Sequence, residues 1–186
     1  MSWCSQNSEG SKPASWPDGS ASSMSKARIV QLWRLARETP EYTASDLSGK
    51  GAARVGGRWN PVGLPVVYAA SNISLAALEL LVHIGEVANV RNLFLIKIDV
   101  PEPIMQRADR VKISSISPAW QAEPPGIASI EIGRRWAQTG QTLLLQVPSA
   151  IVPEESNFLI NPAHKDCQRI RATVVRRFVF DPRLDR

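Results

Sequence analysis

What most constrains the fold of this chain is the order of its strand-like and helix-like segments. Strand-forming runs are expected from Ile29 to Ala36, Val66 to Ala70, Asn92 to Val100, near Val111, Thr142 to Val147, Asn157 to Ile160 and Arg176 to Asp181. Only two helices read clearly. One runs from Leu75 to Ile84, with Ser74 placed to cap it and Gly85 to close it, and the other from Ser129 to Thr139. Strands and helices therefore do not alternate, and a doubly wound parallel sheet is excluded in favour of an α+β fold with split or curved mixed sheets flanked by helices. No internal repeat is present.

The composition fits one moderate domain, 186 residues long with 44% apolar and 21% charged residues. Residues 1–27 are rich in Ser, Gly, Pro and Asn, and Trp3 and Trp16 are their only large apolar groups. Such a segment cannot bury enough surface to offset the entropy of ordering, so it reads as a flexible tail before a domain at 28–186, with Met24 as a plausible alternative start. Cys4 and Cys167 are too few for a disulfide scaffold, and with only His83 and His164 no zinc spacing exists; a reducing cytoplasm and no metal are expected. There is no long apolar run or signal-peptide pattern, so neither membrane insertion nor export is expected. A net charge of +5 suits an anionic ligand, nucleic acid or an acidic partner without choosing among them.

Several residues invite a chemical reading. In Gly56-Gly57-Arg58-Trp59-Asn60-Pro61-Val62-Gly63, paired glycines deliver an arginine whose fixed donors suit a phosphate or carboxylate, although glycine pairs also build ordinary hairpin turns. These glycines match neither the Rossmann nor the Walker pattern, so a nucleotide would have to be held another way. Glu79 interrupts the apolar run from Leu75 to Val82, with His83 one turn on. A buried carboxylate must be paired or functional, while two polar residues on one face equally mark a solvent side. Arg34 is a charge inside an apolar strand, opposite in facing to Trp33 and Leu35. The only tyrosines, Tyr42 and Tyr68, can stack on a base or fill the core. Ser149 lies in a turn between Pro148 and Pro153 without a nucleophile elbow, and His164 follows the helix-start pattern Asn161-Pro162-Ala163 as a structural residue.

Together, Trp33-Arg34, the Gly-Gly-Arg-Trp-Asn-Pro-x-Gly block, Val66-Val67-Tyr68-Ala69-Ala70, the Ala77-Leu78-Glu79 helix, Val147-Pro148-Ser149, Asn161-Pro162-x-His164 and the ending from Phe178 to Leu184 resemble the RES domain family of bacterial toxins. The family's Arg, Glu and Ser map onto Arg34, Glu79 and Ser149 as catalytic residues, with Arg58, Tyr42, Tyr68 and Asn60 as the substrate-binding set. The resemblance implies an ADP-ribosyltransferase-like fold that takes NAD as substrate and needs no other cofactor. It further implies a type II toxin silenced by a helix-turn-helix (Xre-type) antitoxin, which would link it to DNA only indirectly, with inorganic phosphate as a further small-molecule partner and a homo-oligomer as an open possibility. Cleavage of the nicotinamide–ribose bond by hydrolysis or phosphorolysis is the leading expectation. ADP-ribosylation of a cellular protein is the alternative. A noncatalytic nucleic-acid-binding module is the reading from another class, and it lacks the expected basic run with interleaved aromatics.

Overall fold

The computed structural model describes residues 28–84 and 91–184. The expected tail and Gly85 lie outside the described residues. Seven strands, β1 (Ile29–Arg37), β2 (Val67–Ala70), β3 (Leu93–Pro101), β4 (Asp109–Arg110), β5 (Leu144–Pro148), β6 (Ser156–Ile160) and β7 (Arg171–Arg177), form one sheet in the order β4-β5-β6-β2-β1-β3-β7. Only β4 and β5 run parallel, so the sheet is mixed. Among the described residues four α-helices accompany it: α1 (Lys50–Val55), α2 (Ile73–Leu81), α3 (Glu102–Gln106) and α4 (Ile127–Thr139).

The expected splitting takes the form of a narrow seam. β1 pairs with β3 along its whole length from Ile29↔Pro101 to Arg37↔Leu93, but meets β2 at the single register pair Trp33↔Ala70. Two sub-sheets, β4-β5-β6-β2 and β1-β3-β7, are thus joined at one point and part on either side of it. Strand alternation sends the two faces into different cores. Leu32, Ala36, Val67, Ala69, Ile96, Ile98 and Phe158 pack in one cluster. On the other face, Leu35, Leu93 and Leu95 pack with α2 residues, while Leu145, Val147 and Leu159 pack with Trp59, Trp120 and Trp136.

Differences from the sequence reading have local causes. α2 starts earlier than expected because Asn72, not Ser74, caps it, its side-chain oxygen accepting from the Leu75 N–H at 2.8 Å. Helix α1 escaped notice because Gly49, in a left-handed conformation at φ 71°, stands where a side-chain cap would be. The last strand is displaced: β7 covers Arg171–Arg177, not Arg176 to Asp181. Phe178 and Phe180 leave the ladder and pack edge to face, 5.1 Å between centroids, against the Leu35 and Leu93 cluster. Their apolar character reports core packing, whereas the mostly exposed β7 is an edge strand with little pattern to read.

Candidate active site

Glu79 stands at the centre of the best-organised polar cluster. α2 lies against β1 and β2, burying Leu75 and Ala76, and its Glu79 side is half-buried and turned to the hairpin formed by β5 and β6. The Ser149 hydroxyl donates to Glu79 Oε1 at 2.7 Å, and the Asn157 amide donates to the same oxygen at 2.5 Å. Oε2 has no protein partner among the described residues. The carboxylate is therefore held by one oxygen and offers the other. His83 follows the end of α2, is exposed, and among the described residues forms no hydrogen bond or ion pair with Glu79.

Ser149 is wholly buried at 0% exposure, its hydroxyl accepting from the Ile151 and Val152 N–H groups at 3.1 and 3.0 Å while donating to Glu79. Both lone pairs and the proton are engaged, an arrangement that orients a neighbour and leaves nothing for nucleophilic attack. The hairpin grips α2 a second time. Asn72, two turns before Glu79 on the same face, donates to Glu155 Oε2 at 2.5 Å. Asn157 escaped the sequence reading; an asparagine inside a short apolar strand, opposite both Ala70 and Val147, was the available signal.

Arg34 shares its face with Leu32 and Ala36 and sits one residue beyond the Trp33↔Ala70 seam. It is half-buried, not solvent-facing. Burial lowers the pKa of its guanidinium from the ordinary arginine value, with Asp46 and Tyr42 acting against that shift. Its one protein hydrogen bond among the described residues runs from Nη1 to the Asp46 carbonyl at 3.3 Å. Of five N–H donors, most are thus uncommitted. Tyr42 is half-buried on the segment that supplies Asp46, with its hydroxyl beside Gly51.

The Gly56-Gly57 block is a tight turn. Gly57 and Asn60 exchange backbone hydrogen bonds of 2.9 and 3.4 Å around Arg58-Trp59. Arg58 reaches the segment at 118–123: Nη1 donates to the Trp120 and Ala122 carbonyls at 2.6 and 2.9 Å, and Nη2 to Glu123 at 3.1 Å. Trp59 stacks obliquely on Trp120 with centroids 6.0 Å apart. Asn60 is 0% exposed, its amide donating to the carbonyls of Ala52, Pro61 and Leu64 and its oxygen accepting from Tyr68, so it builds the loop and has no polar atom left for a ligand. The Tyr68 hydroxyl also accepts from the Trp59 N–H at 3.1 Å. Burial pushes the Tyr68 phenol well above its ordinary range, with the Trp59 N–H and Arg58 pulling the other way. Gly57 is needed here, since a Cβ on it would lie 2.7 Å from the Tyr68 hydroxyl oxygen. His164 is structural as expected: its Nδ1 caps the short helix at 165–169 by accepting from the Asp166 N–H.

The expected site residues thus fall into three groups. Glu79 and Ser149 touch, with Asn157 between them and the sheet; Arg58, Asn60 and Tyr68 form a loop-bracing network; Arg34 and Tyr42 lie at the seam. No hydrogen bond or ion pair links Arg34 to Arg58 or Glu79 among the described residues.

The narrow-seamed mixed sheet flanked by a few helices is the α+β arrangement that the sequence predicts. A chain from the crystal structure of the Mycobacterium tuberculosis MbcT–MbcA toxin–antitoxin complex has the same fold, with a TM-score of 0.60 and 18% identity over 85% of this chain and 87% of that one. Residues 31–181 match the RES domain, and the chain belongs to that family. A relative from Sphingobium sp., 47% identical over 84% of this chain and 98% of its own length, is named Prs ADP-ribosylating toxin. A second, from Photorhabdus laumondii, is 41% identical over 82% of this chain and 96% of its own length and is named Toxin Res.

Proposed function

We propose that this chain is the toxin of a toxin–antitoxin pair and breaks the nicotinamide–ribose bond of NAD. The observation that carries the reading is the Glu79 carboxylate, fixed through Oε1 by Ser149 and Asn157 with Oε2 unpartnered among the described residues. Cleaving a glycosidic bond builds positive charge on the ribose, and an oriented carboxylate stabilises it. The bonding pair leaves with nicotinamide. The acceptor then bonds to the ribose carbon and gives up its proton. Arg34, with donors to spare at the seam, suits the NAD pyrophosphate, and Tyr42 beside it suits the nicotinamide or ribose. Arg58, a substrate-binding residue by the family resemblance, acts here chiefly through the loop it braces. The toxin names of the relatives support the toxin role, and the MbcT–MbcA neighbour supports an antitoxin partner, for which we retain the helix-turn-helix type and a cytoplasmic setting.

Water or phosphate as acceptor would make the protein an NAD glycohydrolase or phosphorylase. The relative named as an ADP-ribosylating toxin favours a second reading, in which a protein side chain is the acceptor. NAD labelled on its adenylate half distinguishes the outcomes: free ADP-ribose, its phosphorylated form, or label retained on protein from a lysate. Glu79→Gln should cut nicotinamide release by at least about a hundredfold, in line with loss of a transition-state charge partner. A variant that releases nicotinamide at the wild-type rate refutes the carboxylate's role.

A further inference from the structure

We infer that Asn157 is a positioning residue for the reaction, holding the reactive carboxylate at the angle from which its free oxygen faces the ribose; this rests on the NAD-cleaving reading above. Asn157 lies on β6, the central strand of the β2-β6-β5 ladder, opposite Ala70 on one side and Val147 on the other, so its backbone is fixed by two neighbouring strands. Its amide nitrogen reaches Glu79 Oε1 at 2.5 Å, and Ser149 reaches the same atom at 2.7 Å from the turn that follows β5. A carboxylate with one donor rotates about its terminal torsion, which is broad and two-fold. Two donors, one from the turn after β5 and one from β6, converge on one oxygen and fix the plane of the group. Asn157 also carries the fixed side of this grip. Ser149 belongs to a turn, whereas Asn157 stands on a paired strand, and the Asn72–Glu155 bond ties the start of α2 to the same hairpin.

A group that acts by alignment governs turnover and leaves substrate affinity alone. A misplacement of about 1 Å at a reacting centre costs on the order of a hundredfold in rate. Asn157→Ala should therefore lower kcat for nicotinamide release about ten- to a hundredfold with KM for NAD within about twofold of wild type. Ser149→Ala should give the same signature. The double variant should lose much less than the product of the two single losses, because both act through one oxygen. Should Asn157→Ala fail to give a cooperative thermal transition, Asn157→Leu keeps the volume and removes the donor. A kcat within twofold of wild type, an equal rise in KM, or multiplicative losses in the double variant would each overturn the inference. Wild-type protein inert toward NAD would instead overturn the proposed function, and the inference with it.

Discussion

The hydroxyl of Tyr68 ties two pieces of backbone together, and removing it alone has a calculable consequence. In Tyr68→Phe the ring keeps its packing against Trp59, Val66 and Leu159, but Asn60 Oδ1 loses its donor and the Trp59 N–H its acceptor. Both stranded groups belong to residues that are 3% exposed or less. Leaving a buried polar group unpaired costs about 1–3 kcal/mol, so the pair should cost roughly 2–4 kcal/mol after slight relaxation. For a domain of this size that lowers Tm by about 5–15 °C. A second signature comes from proton linkage. Burial raises the phenol's folded pKa, so the folded state keeps the proton at pH values where the unfolded chain, titrating near 10, has lost it. The unfolded state then binds fewer protons, and stability falls with rising pH above about 10 at up to about 1.4 kcal/mol per unit. Below that the contribution is fully present. Denaturant titrations of wild type and Tyr68→Phe between pH 8 and 11 test both effects. The variant should be weaker at pH 8, and the difference should shrink above pH 10 because the variant lacks the titrating group. Equal stability at pH 8, or a difference constant to pH 11, refutes the reasoning.

Gly133 lets α4 approach the turn so closely that a Cβ there would lie 1.8 Å from the Trp59 carbonyl oxygen. Gly133→Ala should cost about 3 kcal/mol or more, read as a fall in the denaturation midpoint. Arg58→Ala releases three hydrogen bonds to the segment at 118–123, so limited proteolysis should begin there before the rest of the domain, while Arg58→Lys, lacking the fork, should restore little protection. Asn72→Ala removes the cap of α2 and its tie to Glu155; a loss of about 1–2 kcal/mol is expected in thermal unfolding.

How far the sequence could be read depended on whether a residue's role was set by neighbours in the chain. Alternation placed Leu93 and Leu95 on one face of β3 and Ile96 and Ile98 on the other, where the two cores confirm them. Glu79 stood out because a charge inside an apolar helix must find a partner, and Ser149 does partner it. Asn157 and Glu155 did not stand out, since their contacts reach across 78 and 83 residues and no local pattern records them. The block at 56–63 misled in a particular way. Glycine beside arginine announces a close approach, but not what is approached, and in the folded chain it is the Tyr68 hydroxyl and the backbone of the segment at 118–123.

That outcome separates the two arginines expected in the site. Arg58 commits its guanidinium to two carbonyls and Glu123 and is largely buried under them. Among the described residues the Arg34 side chain makes one hydrogen bond, at the point where β1 and β2 part. A cation held below its ordinary pKa by burial and left with spare donors gains most when an anion arrives, because the incoming charge relieves a desolvation already incurred on folding. Arg34→Ala should therefore raise KM for NAD at least tenfold while leaving Tm within a few degrees, and Arg34→Lys should recover only part of it, a point charge replacing a fork. Arg58→Ala should show the reverse order of effects, with lost stability first and weakened turnover as its consequence. If instead both variants raise KM alike with unchanged Tm, the clamp that places both guanidinium groups on one pyrophosphate is the better description, and the segment at 118–123 must release Arg58 when NAD binds.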